Sequence, residues 1–158
     1  VFFVQGGQER QHSVYNALKF IEDCEIVAIH DGVRPLIASD VIEKSIAAAR
    51  LYGACAVGMP CKDTVKEIDE NGFAVHTPDR SRIWIIQTPQ TFNFALLKSA
   101  YEKAERDGYL GTDDSSLVER TGHPVRLIEG GYHNIKITTR EDLWFASNFL
   151  RYKRGEED

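Results

Sequence analysis

Residues 25–59 read EIVAIHDGVRPLIASDVIEKSIAAARLYGACAVGM, and this stretch decides the fold class. The apolar run 25–29 predicts a strand, and Gly32 and Pro35 then turn the chain. Ser39 or Asp40 caps a helix that runs to about residue 52, with Ile42, Ile46 and Ala49 as its inward stripe, and Gly53 ends it. The run 54–59 is apolar throughout, as in a strand covered on both faces. Strand, turn, helix and strand in this order make a βαβ unit, the building block of a mainly parallel sheet.

The same alternation extends outward. Residues 1–5 predict a strand ending in Gly6-Gly7, and residues 9–20 a helix with Val14, Ala17, Leu18 and Ile21 on one face. Between 61 and 80 the rhythm breaks. Two short alternating runs flank Glu70-Asn71-Gly72, the pattern of a β-hairpin, and its polar character predicts an arm projecting from the body. A strand at 83–87 resumes the sheet, followed by a helix over 93–106 with Leu97, Ala100, Tyr101 and Ala104 inward. Thr112 is expected to cap a further helix whose first turn carries Asp113 and Asp114, acids that the helix dipole favours. Strands are expected at 125–128 and 134–137, and Thr138-x-x-Glu141 reads as a capping box opening a last helix to about Tyr152. The charged tail 153–158 is expected to fray. The reading is one domain over 1–158: a doubly wound, mainly parallel α/β sheet with a β-arm at 61–80.

Composition sets bounds on function. A chain of 158 residues with 42% hydrophobic residues has enough apolar material for a real core. Its net charge of −5 argues against nucleic acid or an anionic membrane as main partner, yet leaves room for a local basic pocket. Cys24, Cys55 and Cys61 match neither a zinc set nor a redox pair, and read as reduced thiols. No apolar run reaches the ~18 residues that span a bilayer, and no signal peptide opens the chain, so a cytoplasmic protein is expected. The apolar start without a Met predicts that the sequence begins inside a fold.

Several groups can carry chemistry, each with a plainer reading beside it. Asp31 follows a buried strand, where open α/β sheets face their ligand, and suits Mg²⁺, a hard cation that takes few carboxylates plus substrate phosphates. Arg34 could meet a phosphate there. The plainer reading is an Asp-Gly turn. Gly6-Gly7-Gln8-Glu9-Arg10 is a glycine-bearing turn into a helix, suited to an anion or merely tight. Lys66, Arg80 and Arg82 give the arm cations that most often are simply solvated. Thr112 is most simply a cap. Lys136, flanked by Ile135 and Ile137, most often would face solvent in a strand. His12, His76, His123 and His133 have no ligand spacing.

Taken in order, Gly-Gly-x-Glu-Arg-x-x-Ser, His-Asp-Gly-x-Arg-Pro, Pro-x-x-Asp-Thr-x-Lys, Asp-Arg-x-x-Ile-Trp-x-x-Gln-Thr-Pro-Gln, Thr-Asp-Asp-x-Ser-x-Val-Glu and Asn-Ile-Lys-Ile-Thr resemble the 2-C-methyl-D-erythritol 4-phosphate cytidylyltransferases. The resemblance runs from about Gly6 to Leu143. It implies the nucleotide-diphospho-sugar transferase-like fold and transfer of cytidylyl from CTP to a polyol phosphate, with release of pyrophosphate. It also implies Mg²⁺ on Asp31, and cytidine contacts at Gly7, Gln8 and Ser13. Arg34 and Thr112 fall at substrate positions, Thr64 and Arg80 at arm positions that hold the polyol phosphate in a neighbouring subunit of a homodimer, and Lys136 near the phosphates. Arg80 and Lys136 are the expected catalytic residues. Three departures are visible. The family's glycine-rich loop with its Arg and Lys, and the strand–helix unit after it, have no counterpart in these residues. Gln8 and His133 stand where aspartates are common. Two other readings remain: a ribitol 5-phosphate cytidylyltransferase of the sister family, and a non-catalytic nucleotide-binding or oligomerisation remnant.

Overall fold

The computed structural model describes residues 1–155. In chain order the elements are α1 (Arg10–Phe20), β1 (Ile26–Ile29), α2 (Ser39–Tyr52), β2 (Ala54–Pro60), β3 (Glu67–Ile68), β4 (Ala74–His76), a single 3₁₀ turn (Arg80–Arg82), β5 (Trp84–Asn93), α3 (Phe94–Arg106), α4 (Asp114–Glu119), β6 (Arg126–Glu129) and α5 (Arg140–Arg154).

Four strands form the main sheet in the order β1-β5-β2-β6. β1, β2 and β6 run one way, as a mainly parallel sheet requires, and β2 and β6 pair directly in parallel. β5 runs against them between β1 and β2, so two of the ladders are antiparallel. That reversal was not foreseen. β5 is also twice as long as expected, and its continuation through Gln87, Thr88 and Gln90 brings polar side chains into the buried middle of the sheet.

The two faces are covered by different helices. Ala54 pairs with Phe92, and both join a core built with Leu97, Ala100, Tyr101 and Ala104 of α3, Leu117 and Val118 of α4, and Leu18 of α1. The α3 stripe is the one the sequence predicts. Replacing fully buried Leu97 by Ala would cost about 2–5 kcal/mol. One residue along, Cys55 pairs with Thr91, on the opposite face because strand side chains alternate. There the Thr91 hydroxyl donates to Ser45 of α2 at 2.9 Å. This close approach needs a small residue, and it rotates α2 from expectation: Val41, Ser45 and Ala49 are buried, while Ile42 and Ile46 lie at the margin.

Other departures are local. Residues 1–5 form no strand; Val1, Phe2 and Phe3 are exposed, since apolar propensity makes no strand without a neighbour to hydrogen-bond. Residues 134–137 form no strand either, and make one backbone bond to the β1–α2 loop, Ile137 N–H to Val33 O at 2.8 Å. The caps shift by one residue. Asp113, not Thr112, caps α4, and Thr139, with Asp142 in place of Glu141, forms the capping box of α5. In each case adjacent residues had the chemistry of a cap, and only backbone geometry chooses between them. Lys153 and Arg154 lie within α5, Gly155 caps it, and the rest of the expected frayed tail, 156–158, lies outside the described residues.

The arm forms as β3 paired with β4. Asp69 organises the loop: its carboxylate accepts from the Asn71 and Phe73 backbone N–H groups at 3.0 and 2.9 Å. Gly72 takes φ of +85°, a left-handed value that glycine adopts without strain. Ile68, Phe73 and Val75 on the arm are exposed.

Candidate active site

The β1–α2 loop leaves the carboxyl end of β1 and is pinned at several points. Thr88 of β5 accepts from the Asp31 backbone N–H at 3.0 Å, and its hydroxyl lies 2.9 Å from His30 Nδ1. The other imidazole nitrogen, Nε2, meets the Arg34 carbonyl at 3.0 Å. A carbonyl only accepts, so Nε2 carries the proton, and in the neutral ring Nδ1 accepts from Thr88. Asn134, fully buried, donates to Gln87 Oε1 and to the Thr88 carbonyl, while its own carbonyl receives Arg34 Nη1 at 2.7 Å. Gln87 in turn donates to the Gly131 carbonyl. Gly130 allows this fit: a Cβ there would stand 2.5 Å from Val57 Cγ1 and 2.7 Å from Gln87 Oε1. The loops after β1 and β6 are thus clamped onto the middle of β5.

The clamp gathers charge around one carboxylate. Arg10 Nε donates to Asp31 Oδ1 at 3.2 Å, while Lys136 Nζ and Arg34 Nε lie 3.4 and 3.5 Å from Asp31 Oδ2. Burial would raise the Asp31 pKa, but the positive charges of Arg10 and Lys136 outweigh it and hold the carboxyl below its ordinary value. Arg34 Nε is buried without a hydrogen-bond partner, a donor left at the wall of the pocket. Arg10 is shared with Asp114, and Asp113 lies on the pocket wall, so charges balance overall, while Arg34 and Lys136 meet at Asp31 Oδ2 as donors suited to an anionic group.

The pocket they line has a volume of about 170 Å³, with Thr112, Asp113, Gln87, Thr88 and Gln90 completing its wall. That is room for a phosphate and its immediate substituent, well under the roughly 300–1,000 Å³ typical of whole small-molecule sites. A second, more apolar cavity of about 410 Å³ adjoins it and shares Arg34, Gln87 and Lys136. Asp113 is held by donors from Ser115, Ser116 and Gln90. Burial pushes its pKa up, and those bonds more than offset it, so the carboxyl stays below its usual value.

No group of three or more His, Cys, Asp and Glu side chains suited to a metal occurs among the described residues. Asp31 still fits magnesium, which needs only one or two protein carboxylates when substrate phosphates supply the other oxygens.

Asp31, Arg34, Thr112 and Lys136 therefore meet at one pocket. Lys136 reaches Asp31 while its side chain stays half-exposed; the residues around it are not a strand, so the alternation argument does not apply. Gly7, Gln8 and Ser13 sit at the α1 N-terminus, where the Ser13 hydroxyl accepts from Gly7 N–H at 3.0 Å, but they do not line the pocket. Thr64 and Arg80 are apart from it. Thr64 is exposed in the chain leading to β3, and Arg80 Nη1 donates to the Lys62 carbonyl at the base of the arm. Sequence reading missed Arg10, Gln87, Thr88 and Gln90. Arg10 and Gln-Thr-Pro-Gln stood inside the quoted motifs, and that was the available signal.

Comparison with known proteins agrees with this architecture. The family model described as 2-C-methyl-D-erythritol 4-phosphate cytidylyltransferase matches residues 1–152. The chain is 58% identical over 149 residues to a curated protein of that name from Caldanaerobacter subterraneus subsp. tengcongensis, covering 94% of the chain and 66% of the relative. It is 50% identical over 156 residues to the one from Geobacillus thermodenitrificans, covering 99% and 68%. The crystal structure of a 4-diphosphocytidyl-2C-methyl-D-erythritol synthase from Anaerococcus prevotii superposes with a TM-score of 0.89 at 38% identity, over 95% of this chain and 67% of that one. The chain thus spans about two thirds of the length of these relatives.

Proposed function

Because the chain belongs to the 2-C-methyl-D-erythritol 4-phosphate cytidylyltransferase family, we propose that it carries the acceptor and phosphate half of a site that transfers cytidylyl from CTP to 2-C-methyl-D-erythritol 4-phosphate. The carrying observation is the convergence of Arg10, Arg34 and Lys136 on Asp31 in one polar pocket. An oxygen of the acceptor phosphate attacks the α-phosphorus of CTP. A new P–O–P linkage forms, the α–β bridge breaks, and pyrophosphate departs with the bridging oxygen.

Two anions must approach each other, so the protein's task is neutralisation and alignment. Arg34 supplies an Nε that makes no hydrogen bond, though it lies near Asp31, and a guanidinium already fixed by the Asn134 carbonyl, a preorganised donor for the acceptor phosphate. Lys136, half-exposed and paired among the described residues with Asp31, is free to follow charge as it shifts to the leaving group. Thr112 on the opposite wall suits the polyol hydroxyls. Asp31 would hold Mg²⁺, which when bound supplies further neutralisation of the triphosphate.

Thr64 and Arg80 do not line this pocket within one subunit. The exposed Ile68, Phe73 and Val75 support a two-fold homodimer in which each arm serves its partner's site. Gly7, Gln8 and Ser13, at the α1 N-terminus, belong to the cytidine side in this reading. Cys24, Cys55 and Cys61, all free, suit a cytoplasmic protein. The full-length protein should release pyrophosphate from CTP when 2-C-methyl-D-erythritol 4-phosphate is added and not when ribitol 5-phosphate is added. Equal rates with both would refute the assigned acceptor.

A further inference from the structure

Arg10 makes a pattern that the proposed reaction leaves unused. Its two terminal nitrogens grip Asp114, Nη1 to Oδ1 at 3.1 Å and Nη2 to Oδ2 at 2.7 Å. The Asp114 side chain is fully buried, and its Oδ1 also receives a short hydrogen bond from the hydroxyl of Tyr101. Tyr101 sits in the main core on α3. A guanidinium held through both terminal nitrogens keeps three further N–H groups, and the direction of one of them, Nε–H, is set by the plane of the fork. That donor points at Asp31 Oδ1.

The plain alternative is a structural ion pair that ties α1 to α4. It accounts for the Asp114 bonds but not for the third. Asp31 Oδ1 has Arg10 as its side-chain donor, whereas Oδ2 is the oxygen that Arg34 and Lys136 approach. The two oxygens are therefore distinguished, one anchored to the core through Arg10 and one turned to Arg34 and Lys136. A carboxylate fixed only by its backbone rotates about its own side-chain bonds; one braced at Oδ1 presents Oδ2 in a fixed direction. Burial disfavours a charged Arg10, but its bonds to Asp114 and the Asp31 charge outweigh this and raise its pKa, so the brace stays cationic.

We infer that Arg10 is a positioning residue, the last member of a Tyr101–Asp114–Arg10 brace that sets the orientation of Asp31 toward the divalent cation and nucleotide phosphates. The inference rests on the proposed role of Asp31. Neither the helix cap nor the salt bridge alone requires it; the three-way use of one guanidinium does. The brace also places the control of the site's carboxylate in the core, two helices away from the loop that carries it.

A double-mutant cycle in the full-length protein tests this, with Arg10→Lys, Asp31→Asn and the double variant. Lysine keeps the charge but cannot reproduce the fork together with a third bond. The readout is the dissociation constant of the Mg²⁺–CTP complex by calorimetry without acceptor, supported by the split of kcat from KM. If Arg10 acts through Asp31, Arg10→Lys weakens binding by about fivefold or more in the natural background and by less than about twofold in the Asp31→Asn background, because coupled residues are non-additive. The cycle also controls for folding, since damage through Asp114 would appear equally in both backgrounds. The same factor in both, or no change in either, would overturn the inference. Failure of the natural protein to bind Mg²⁺–CTP at all would instead bring down the reading of the site, and this inference with it.

Discussion

Thr88→Val removes one oxygen and keeps the shape of the side chain. In the structure that hydroxyl accepts from the Asp31 backbone N–H at 3.0 Å and lies 2.9 Å from His30 Nδ1, in a residue only 4% exposed. Leaving a buried N–H without an acceptor costs about 1–3 kcal/mol, and the neutral bond to His30 adds about 0.5–1.5 kcal/mol. A total near 2 kcal/mol should lower the melting temperature by roughly 4–8 °C in a protein of this size. Activity should suffer more, because the residue that loses its anchor is Asp31, and a misplacement of about 1 Å at a reacting centre can cost about a hundredfold. The assay is pyrophosphate release by the full-length protein at a temperature well below its melting point, with differential scanning calorimetry in parallel. Thr88→Ser keeps the oxygen and should recover most of the loss. Thr88→Val with kcat/KM within about twofold of the parent would refute the claim that this hydroxyl holds the loop.

Three further outcomes follow from the same geometry. Arg80→Lys should reduce efficiency with the polyol phosphate by roughly 10- to 200-fold while CTP affinity stays within about twofold, since a charge-assisted bond contributes about 1.5–3 kcal/mol and lysine lacks the fork; steady-state kinetics with each substrate varied separately check it. Deleting residues 66–76, which hold β3, β4 and their loop, should convert dimers to monomers by light scattering and abolish turnover together. Asp113→Asn should destabilise the protein by about 1–2 kcal/mol at neutral pH, because a carboxylate accepts the Ser115, Ser116 and Gln90 donors more strongly than an amide does. Its folded pKa lies below the unfolded value, so this advantage is present above roughly pH 4 and disappears as pH falls through the depressed value; urea melts at pH 7 and pH 3 should show the gap closing, and a gap that widens in acid would contradict the assignment.

Much of the fold was legible because it is local. Periodicity and capping residues placed the five α-helices and every strand of the main sheet, and the α3 stripe was read but for Phe94. What escaped depended on distant partners. The direction of β5 is fixed by its neighbours on both sides, not by its own sequence. The rotation of α2 follows from a Ser45–Thr91 contact across 46 positions. Residues 1–5 have the composition of a strand but no ladder in which to express it.

The site divides in the same way. Asp31, Arg34 and Lys136 were singled out through motif order, and the structure brings them to one pocket, with Lys136 half-exposed at its edge. Arg10 could not be ranked from its surroundings, because its partners lie 21 and 104 residues away. Thr88 and Gln87 sit in a stretch that reads as an ordinary strand, and only the clamp by Asn134 gives them a place in the pocket.

The most direct test of the central claim is the rate of pyrophosphate release by the full-length protein carrying Asp31→Asn, at saturating CTP and polyol phosphate and across a Mg²⁺ titration. The substitution keeps nearly the same volume and removes the one carboxylate on which Arg10, Arg34 and Lys136 converge. The account predicts a loss of about a hundredfold or more that added Mg²⁺ does not restore, with the fold intact by circular dichroism. Turnover within about threefold of the parent at limiting Mg²⁺ would contradict it, and would move the chemistry away from this pocket.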